Sequence, residues 1–250
     1  MIGMSTETLI HLLDRAETLP GAAELRTRTY ELLRLRSGAR VVDIGCGGGR
    51  AVAELGARWA DVVGIDADPR MVAAARARHH TADIRQGDAT ALPFADGELD
   101  GYRADKVFHE LPDPAVAVTE AHRVLTPGGR VVLAGQDWHA LAIDSDHPGL
   151  TTRVVHARAN AIIAPRAARA FRNLLLTAGF TEVAVEVHTG IFTDTAMLPM
   201  LTGLASTALR TLAISPGEHA TWLAEQTARA EADRMLLAVP IFVASATKRA

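Results

Sequence analysis

Short apolar runs alternate with helix-like segments along most of the chain, a pattern typical of a parallel sheet covered by helices on both faces. The predicted strands are residues 40–44, 61–65, 83–86, 98–104, 130–135, 182–188 and 236–247. The predicted helices between them are residues 50–59, 69–79, 114–125 and 166–178. Because strand–helix–strand connections are right-handed, we predict an α/β fold with a doubly wound, mostly parallel sheet. Its ligand site should lie beyond the carboxyl ends of the strands.

Three further segments fall outside this alternation and have mostly helical patterns. Residues 1–36 carry leucines at helical spacing, and the segments 137–165 and 193–232 are rich in Ala, Leu and Thr. No low-complexity linker separates them from the rest of the chain. We therefore predict one domain over residues 1–250, with residues 1–36 as an N-terminal helical cap and the two later insertions as a substrate lid.

Composition argues against several classes of function. The chain has 250 residues, is 48% hydrophobic and 22% charged, and carries a formal net charge of −3. This balance gives no electrostatic reason to bind nucleic acid or an acidic membrane. A single cysteine, Cys46, excludes an intramolecular disulfide and a cysteine-rich metal site, and no metal-ligand spacing is present.

The N-terminal residues lack a basic region followed by an apolar core, so no signal peptide is predicted. The apolar run from Met235 to Ala246 contains Pro240 and is shorter than the roughly 20 residues that span a bilayer. The sequence therefore predicts a cytoplasmic protein whose partner is a small-molecule substrate rather than a membrane. A homodimer is compatible with this prediction.

A glycine-rich turn carries the most functional information. Residues 41–50 place Asp43 at the end of an apolar strand and glycines at positions 45, 47 and 49, directly before the next predicted helix. Such a turn brings bare backbone close to a ligand at a helix N-terminus. Cys46 lies within the turn and is expected to act there as a small side chain.

Two more acids follow the next two predicted strands, so three carboxylates should converge on one edge of the sheet. Asp66 lies 23 positions after Asp43, close to the spacing at which a carboxylate binds ribose hydroxyls in dinucleotide folds. Asp88 could accept a hydrogen bond from an adenine amino group, with the backbone amide of Ala89 donating to the ring. These positions predict a site for an adenosine-containing cofactor.

Asp43 distinguishes between two such cofactors. A dinucleotide would carry its pyrophosphate over the turn, where a carboxylate repels it, and the third glycine of the dinucleotide pattern is replaced by Arg50. S-adenosylmethionine has no phosphate, and its sulfonium and ammonium groups are favoured by nearby acids. The ordered set of acids therefore indicates S-adenosyl-L-methionine rather than a nicotinamide dinucleotide.

Several motifs appear in an order that resembles the class I S-adenosylmethionine-dependent methyltransferases, in the branch that includes enzymes of ubiquinone and menaquinone biosynthesis. The resemblance is clear over residues 37–135 and covers Asp43-Ile-Gly-Cys-Gly-Gly-Gly, Gly64-Ile-Asp66, Gly87-Asp88-Ala89, Leu92-Pro93-Phe94 and the segment 123–130. Residues 174–180 also fit. The resemblance implies a seven-stranded sheet whose last strand is antiparallel. Many members of this branch modify natural products.

The resemblance also implies roles for individual residues. Asp66 would bind the ribose, and Asp88 with Ala89 would bind the adenine. The turn from Gly45 to Gly47, including Cys46, would approach the methionine part of the cofactor. Ala67 and Met71 would pack on the adenine, while Arg103 would bring its backbone near the amino acid end of the cofactor.

Two histidines are candidate catalytic bases because each follows a predicted strand at the carboxyl edge. His109 follows the fourth strand and His139 the fifth. Methyl transfer is an in-line displacement that depends mainly on positioning, and a base is needed only where the acceptor must lose a proton. Either histidine has an alternative packing role, and Asp137 could orient a neighbouring imidazole.

The predicted function is methyl transfer to a small, fairly apolar molecule, either quinone-like or a natural product. The methylated atom (oxygen, nitrogen or carbon) stays open. An alternative is a cofactor-binding protein of the same fold that catalyses another reaction or none.

Overall fold

The computed structural model describes residues 17–249 together with Asp14. Its centre is a sheet of eight strands. The strands are β1 (Ala39–Ile44), β2 (Ala60–Asp66), β3 (Asp83–Gln86), β4 (Leu99–Asp105), β5 (Leu125–Gln136), β6 (Ala142–Ile143), β7 (Phe180–Phe192) and β8 (Leu237–Lys248). The helices are α1 (Ala22–Leu33), α2 (Arg50–Arg58), α3 (Pro69–Arg78), α4 (Pro114–Val124), α5 (Pro148–Asn160), α6 (Ala167–Thr177), α7 (Leu198–Arg210) and α8 (Pro216–Glu231).

The strand order confirms the predicted doubly wound, mostly parallel sheet. It runs β3-β2-β1-β4-β5-β8, and β7 pairs with the outer side of β8. Strands β1 to β5 are parallel, whereas β8 is antiparallel to β5, β6 and β7. The carboxyl ends of β1 to β5 therefore lie along one edge.

The sheet differs from the predicted seven strands in two respects. The two-residue strand β6 adds an eighth member, and β7 extends over Phe180–Phe192 instead of residues 182–188. Along β7 partly buried and exposed residues alternate because successive side chains point to opposite faces of the sheet, so no continuous apolar run marks the ends of this strand. Of the N-terminal cap, the structure describes α1; residues 1–13, 15 and 16 lie outside the described residues.

Helices cover both faces of the sheet, as alternating strand residues require. Val41 packs in a cluster with α1, α2 and α3, whereas its neighbour Val42 packs in a second cluster with α4 and α6. Asp68 and Asp113 cap α3 and α4 by accepting hydrogen bonds from the amides of Arg70 and Ala115. Such caps fix where each helix begins.

A third core lies among α5, α7 and α8, the helices of the two insertions, which we call the cap helices. Trp222 is fully buried at its centre and donates a hydrogen bond from Nε1 to Oγ1 of Thr151, over 2.9 Å. Phe192 and Leu237 join this core from the sheet. None of the helices described is long and apolar enough to cross a membrane.

Thr151→Val should destabilise the cap core because the Trp222 indole would lose its acceptor. We expect a loss of about 1–3 kcal/mol in the free energy of unfolding, the usual cost of an unsatisfied buried donor. Thr152→Val is the matched control, since Thr152 is the exposed neighbour on the same helix, and it should change stability by less than about 0.5 kcal/mol. Urea denaturation measures both, and equal losses would contradict the assignment.

Candidate functional site

The glycine turn between β1 and α2 requires glycine for steric and conformational reasons. Gly45 has φ of 61°, in the left-handed region, and a Cβ at this position would lie 2.3 Å from Cγ2 of Val107. The side chain of Cys46 is buried, and burial raises the pKa of its thiol. A Cβ on Gly64 would meet its Sγ at 2.9 Å. The Cys46 side chain therefore packs against β2, and only backbone can line the outer surface of the turn.

Asp66, at the end of β2, holds the turn in place. Its Oδ2 accepts a hydrogen bond from the amide of Gly47 and its Oδ1 accepts one from the amide of Asp68, each over 2.9 Å. Each carboxylate oxygen has a second lone pair, and the side chain is only partly buried. Asp66 can therefore accept two further hydrogen bonds from a pair of ligand hydroxyls.

Residues expected to contact adenine lie close in sequence to the ends of β2 and β3. Asp88 is exposed, and its Oδ1 accepts hydrogen bonds from the amide and hydroxyl of Thr90, which lower the pKa of the carboxyl. Ala89 and Met71 are buried, whereas Ala67 is exposed. The exposed carboxyl of Asp88 is therefore accessible to a ligand.

Asp43 is not the free acid that the sequence suggested. It is 1% exposed, and its Oδ1 lies 2.6 Å from Nη1 of Arg103. The two residues are neighbours across the parallel pair of β1 and β4, so their side chains point to the same face. The guanidinium offsets the negative charge of Asp43, which reduces the attraction of this acid for a cationic ligand.

Arg103 is the centre of a wider polar cluster. Besides Asp43, it contacts Oδ2 of Asp105 at 3.0 Å and donates from Nε to Oγ1 of Thr29 over 2.8 Å, and its guanidinium lies over the Tyr30 ring at 5.5 Å. Burial acts to lower the pKa of Arg103, but Asp43 and Asp105 outweigh it and the pKa is raised. Arg103 is therefore always charged. No sequence pattern indicated this side-chain role.

Asp105 is the site residue that sequence reasoning missed. Burial tends to raise the pKa of its carboxyl, but Lys106 and Arg103 outweigh this effect and lower it. Lys106 lies 3.1 Å from Oδ2, whereas Oδ1 is buried without a partner among the described residues. Its position at the end of β4 was the one available signal, because other strand ends also carry acids.

The two histidine candidates lie in different settings. The His109 side chain is 11% exposed, and its Nε2 lies 3.2 Å from Oε1 of Glu110. The backbone amide of His139 donates to Oδ1 of Asp137, while Nε2 of its ring is buried without a partner in the described part of the chain. The His139 ring therefore has a nitrogen available to a ligand.

Several neighbours set the charge state of His139. Burial lowers its pKa below the usual value, Asp137 opposes that shift, and His156, Arg169 and Arg166 add to it. The His156 ring is 5.4 Å away between centroids. His139 is accordingly neutral at pH 7 and can accept a proton.

These residues fit an adenosine-containing sulfonium cofactor. Asp66 retains acceptor capacity for two hydroxyls, the backbone of the turn is open to a ligand, and the unpartnered Oδ1 of Asp105 suits a cationic donor.

Comparison with known proteins agrees with this fit. Residues 42–133 match the family model described as a methyltransferase domain. A 37.1 kDa protein in transposon TN4556 of Streptomyces fradiae is 33% identical over 83% of this chain and 62% of its own length. The demethylmenaquinone methyltransferase of Beutenbergia cavernae is 37% identical over 44% of this chain and 45% of its own length.

A solved structure shows the same fold. Phosphoethanolamine N-methyltransferase 2 of Haemonchus contortus, determined with S-adenosylhomocysteine, superposes with a TM-score of 0.65 over 100% of this chain and 59% of that chain, at 17% sequence identity. Residues 42–133 are thus similar to a methyltransferase domain, and the fold is that of a solved methyltransferase. The chain spans about three fifths or less of the length of the curated relatives named above.

Arg103→Met should destabilise the protein strongly because it leaves Asp43 buried without a counter-charge. Breaking a buried pair from one side costs about 3–5 kcal/mol. Burial already raises the pKa of Asp43, and Arg103 opposes that shift. Loss of the guanidinium would raise this pKa further, so the folded variant would bind a proton more readily than the unfolded chain. The loss should therefore be smaller at pH 5 than at pH 8.

Arg85→Met is the matched control, because Arg85 pairs with Asp83 at the surface. Exposed pairs contribute about 0–1 kcal/mol. Guanidinium chloride denaturation at both pH values measures the two variants. An Arg103→Met loss that is small, or that does not depend on pH, would show that the ion pair does not organise this edge.

Proposed function

We propose that this protein transfers the methyl group of S-adenosylmethionine to a small, fairly apolar acceptor, either quinone-like or a natural product. The observation that carries the proposal is the Asp66 carboxylate, held by two backbone amides at the end of β2 with further acceptor capacity. The methyltransferase domain over residues 42–133 supports the same activity. So does the named activity of the demethylmenaquinone relative.

Each part of the cofactor has a candidate partner in this chain. Asp66 would hold the ribose hydroxyls, Asp88 and the amide of Ala89 the adenine edge, and Met71 with Ala67 the adenine face. The backbone from Gly45 to Gly47 would lie along the methionine part. When bound, the cofactor supplies an electrophilic methyl group on a sulfonium.

His139 is the candidate base for an acceptor that must lose a proton. Its Nε2 is buried without a partner among the described residues, and the ring is neutral at pH 7 because its pKa is lowered. Asp137 fixes the adjacent backbone through the His139 amide and pairs with Arg169. His109 is a weaker candidate because Glu110 already contacts its Nε2.

The cap helices are the candidate lid over the acceptor. Their core is mainly aliphatic and includes Leu141, Val154, Met197 and Leu201. Apolar walls of this kind are usual in small-molecule sites, which favours an acceptor with an apolar body.

Asp66→Asn should weaken cofactor binding roughly ten-fold or more, since a hydrogen bond to a charged group contributes about 1.5–3 kcal/mol. Calorimetric titration with S-adenosylmethionine and with S-adenosylhomocysteine measures the dissociation constants. Asp68→Asn is the control, because Asp68 caps α3 next to Asp66. Unchanged affinity of a folded Asp66→Asn protein would refute the cofactor placement.

His139→Gln should lower kcat by about 10²- to 10⁴-fold, the usual contribution of a general base, while the affinity for S-adenosylmethionine stays near that of the wild type. Transfer of labelled methyl groups into an extract of apolar metabolites identifies acceptors on which kcat is then measured. His109→Gln is the comparison variant and should have the smaller effect. Normal turnover in His139→Gln would assign this residue to packing.

The pH profile gives an independent test of the same base. Because burial lowers the pKa of His139 below 6.5, the neutral form persists into mildly acidic solution. The wild-type kcat should therefore hold down to about pH 6.5, the ordinary value for histidine, and fall only at lower pH. A fall beginning well above that value would point to another base.

A further inference from the structure

We propose that Trp138 and Arg158 form a binding site for a carboxylate on the methyl acceptor. The proposal rests on the proposed function, and it narrows the substrate class to apolar molecules that carry an acidic group. The two side chains lie where α5 meets the segment after β5, next to the candidate base His139.

The Trp138 indole is a buried donor without an acceptor. The residue is 9% exposed, and its Nε1 has no hydrogen-bond partner among the described residues. Its own amide donates to the carbonyl of Pro165 over 3.1 Å, which fixes the backbone at this point. An indole N–H can only donate a hydrogen bond, and a buried donor left unpaired costs free energy. A ligand atom that accepts this hydrogen bond would remove the cost.

Trp222, which is fully buried, shows how a purely structural indole is satisfied in this protein. Nε1 of Trp222 donates to Oγ1 of Thr151 within the same cap core. The contrast distinguishes Trp138, whose N–H has no such acceptor among the described residues.

Arg158 supplies positive charge at the same place. Its guanidinium carbon lies 4.9 Å from the centre of the Trp138 ring. The side chain is partly buried, and in the described part of the chain no carboxylate lies within ion-pair distance. Arg26 and Arg229, which are similarly sheltered, each pair with acids within 3.0 Å.

The charged residues near Arg158 leave more hydrogen-bond donors than acceptors at this point. Glu110 is the acid that acts on Arg158, but its Oε1 lies 3.2 Å from Nε2 of His109. Arg210 adds a second positive charge near Arg158. An indole N–H and a guanidinium together match a carboxylate, which accepts several hydrogen bonds and carries the opposite charge.

The remaining surroundings explain why the acceptor should be an apolar acid rather than a small anion. Trp138 belongs to the cap core with Leu141, Val155 and Ile162. A carboxylate held by the donors would place its apolar body against these side chains, and the adjacent His139 would face the same molecule.

The test uses octanoate as the probe and its neutral amide, octanamide, as the comparison. Calorimetric titration of the whole protein, with and without S-adenosylhomocysteine, should give tighter binding of octanoate. Arg158→Met should weaken octanoate binding roughly ten- to a hundred-fold, the range for a charged hydrogen bond, and bring it near that of octanamide. Trp138→Phe should weaken octanoate roughly three- to ten-fold through loss of one donor.

Arg153→Met is the matched control, because Arg153 lies on the same helix but is exposed and paired with Glu218. It should leave octanoate binding unchanged. Octanoate binding that is absent, that equals octanamide binding, or that survives Arg158→Met would overturn the proposal.

The outcomes separate this proposal from the proposed function. If S-adenosylmethionine binds and methyl transfer occurs but octanoate shows no dependence on Arg158, the carboxylate site alone is wrong. If octanoate binds through Arg158 while S-adenosylmethionine does not bind, the carboxylate site stands and methyl transfer is wrong.

Discussion

The carboxyl edge of the sheet depends on one buried charge, the guanidinium of Arg103. A charge at this depth is tolerated only where its hydrogen bonds are satisfied, and its partners come from three elements: Asp43 of β1, Asp105 of β4 and Thr29 of α1. The ends of two strands and one covering helix must therefore keep a fixed relative position. This rigidity extends to the glycine turn, because the turn begins directly after β1 and is held at Gly47 by Asp66.

The same ion pair changes the electrostatic argument for the cofactor. Asp43 alone would attract a cation, but Arg103 offsets its charge. The remaining acids at this edge are Asp66, Asp88 and Asp105, and Lys106 partly balances Asp105. The charge that a ligand would meet at this edge therefore depends on Asp66, Asp88 and Asp105 rather than on Asp43 alone.

Periodicity predicted the parallel half of the sheet well because buried parallel strands are continuous apolar runs; β1 and β2 lie within one residue of the bounds predicted for them. The acids after β2 and β3 were also found from sequence, since strand ends share an edge. The pairing of Asp43 with Arg103 was missed because it depends on the register of strands 60 residues apart. The stacking of Arg158 on Trp138 was missed for a similar reason, since it requires the docking of α5.

Separate cores explain how one fold can serve different acceptors. The family match covers residues 42–133, which hold β1 to β4 and most of β5, whereas the cap helices pack in a core of their own. Under the proposed function, substitutions among the cap residues would reshape the acceptor site while Arg103 and Asp66 keep the cofactor edge intact. The cofactor is therefore predicted from short motifs, and the acceptor is inferred from unpaired groups such as the Trp138 indole.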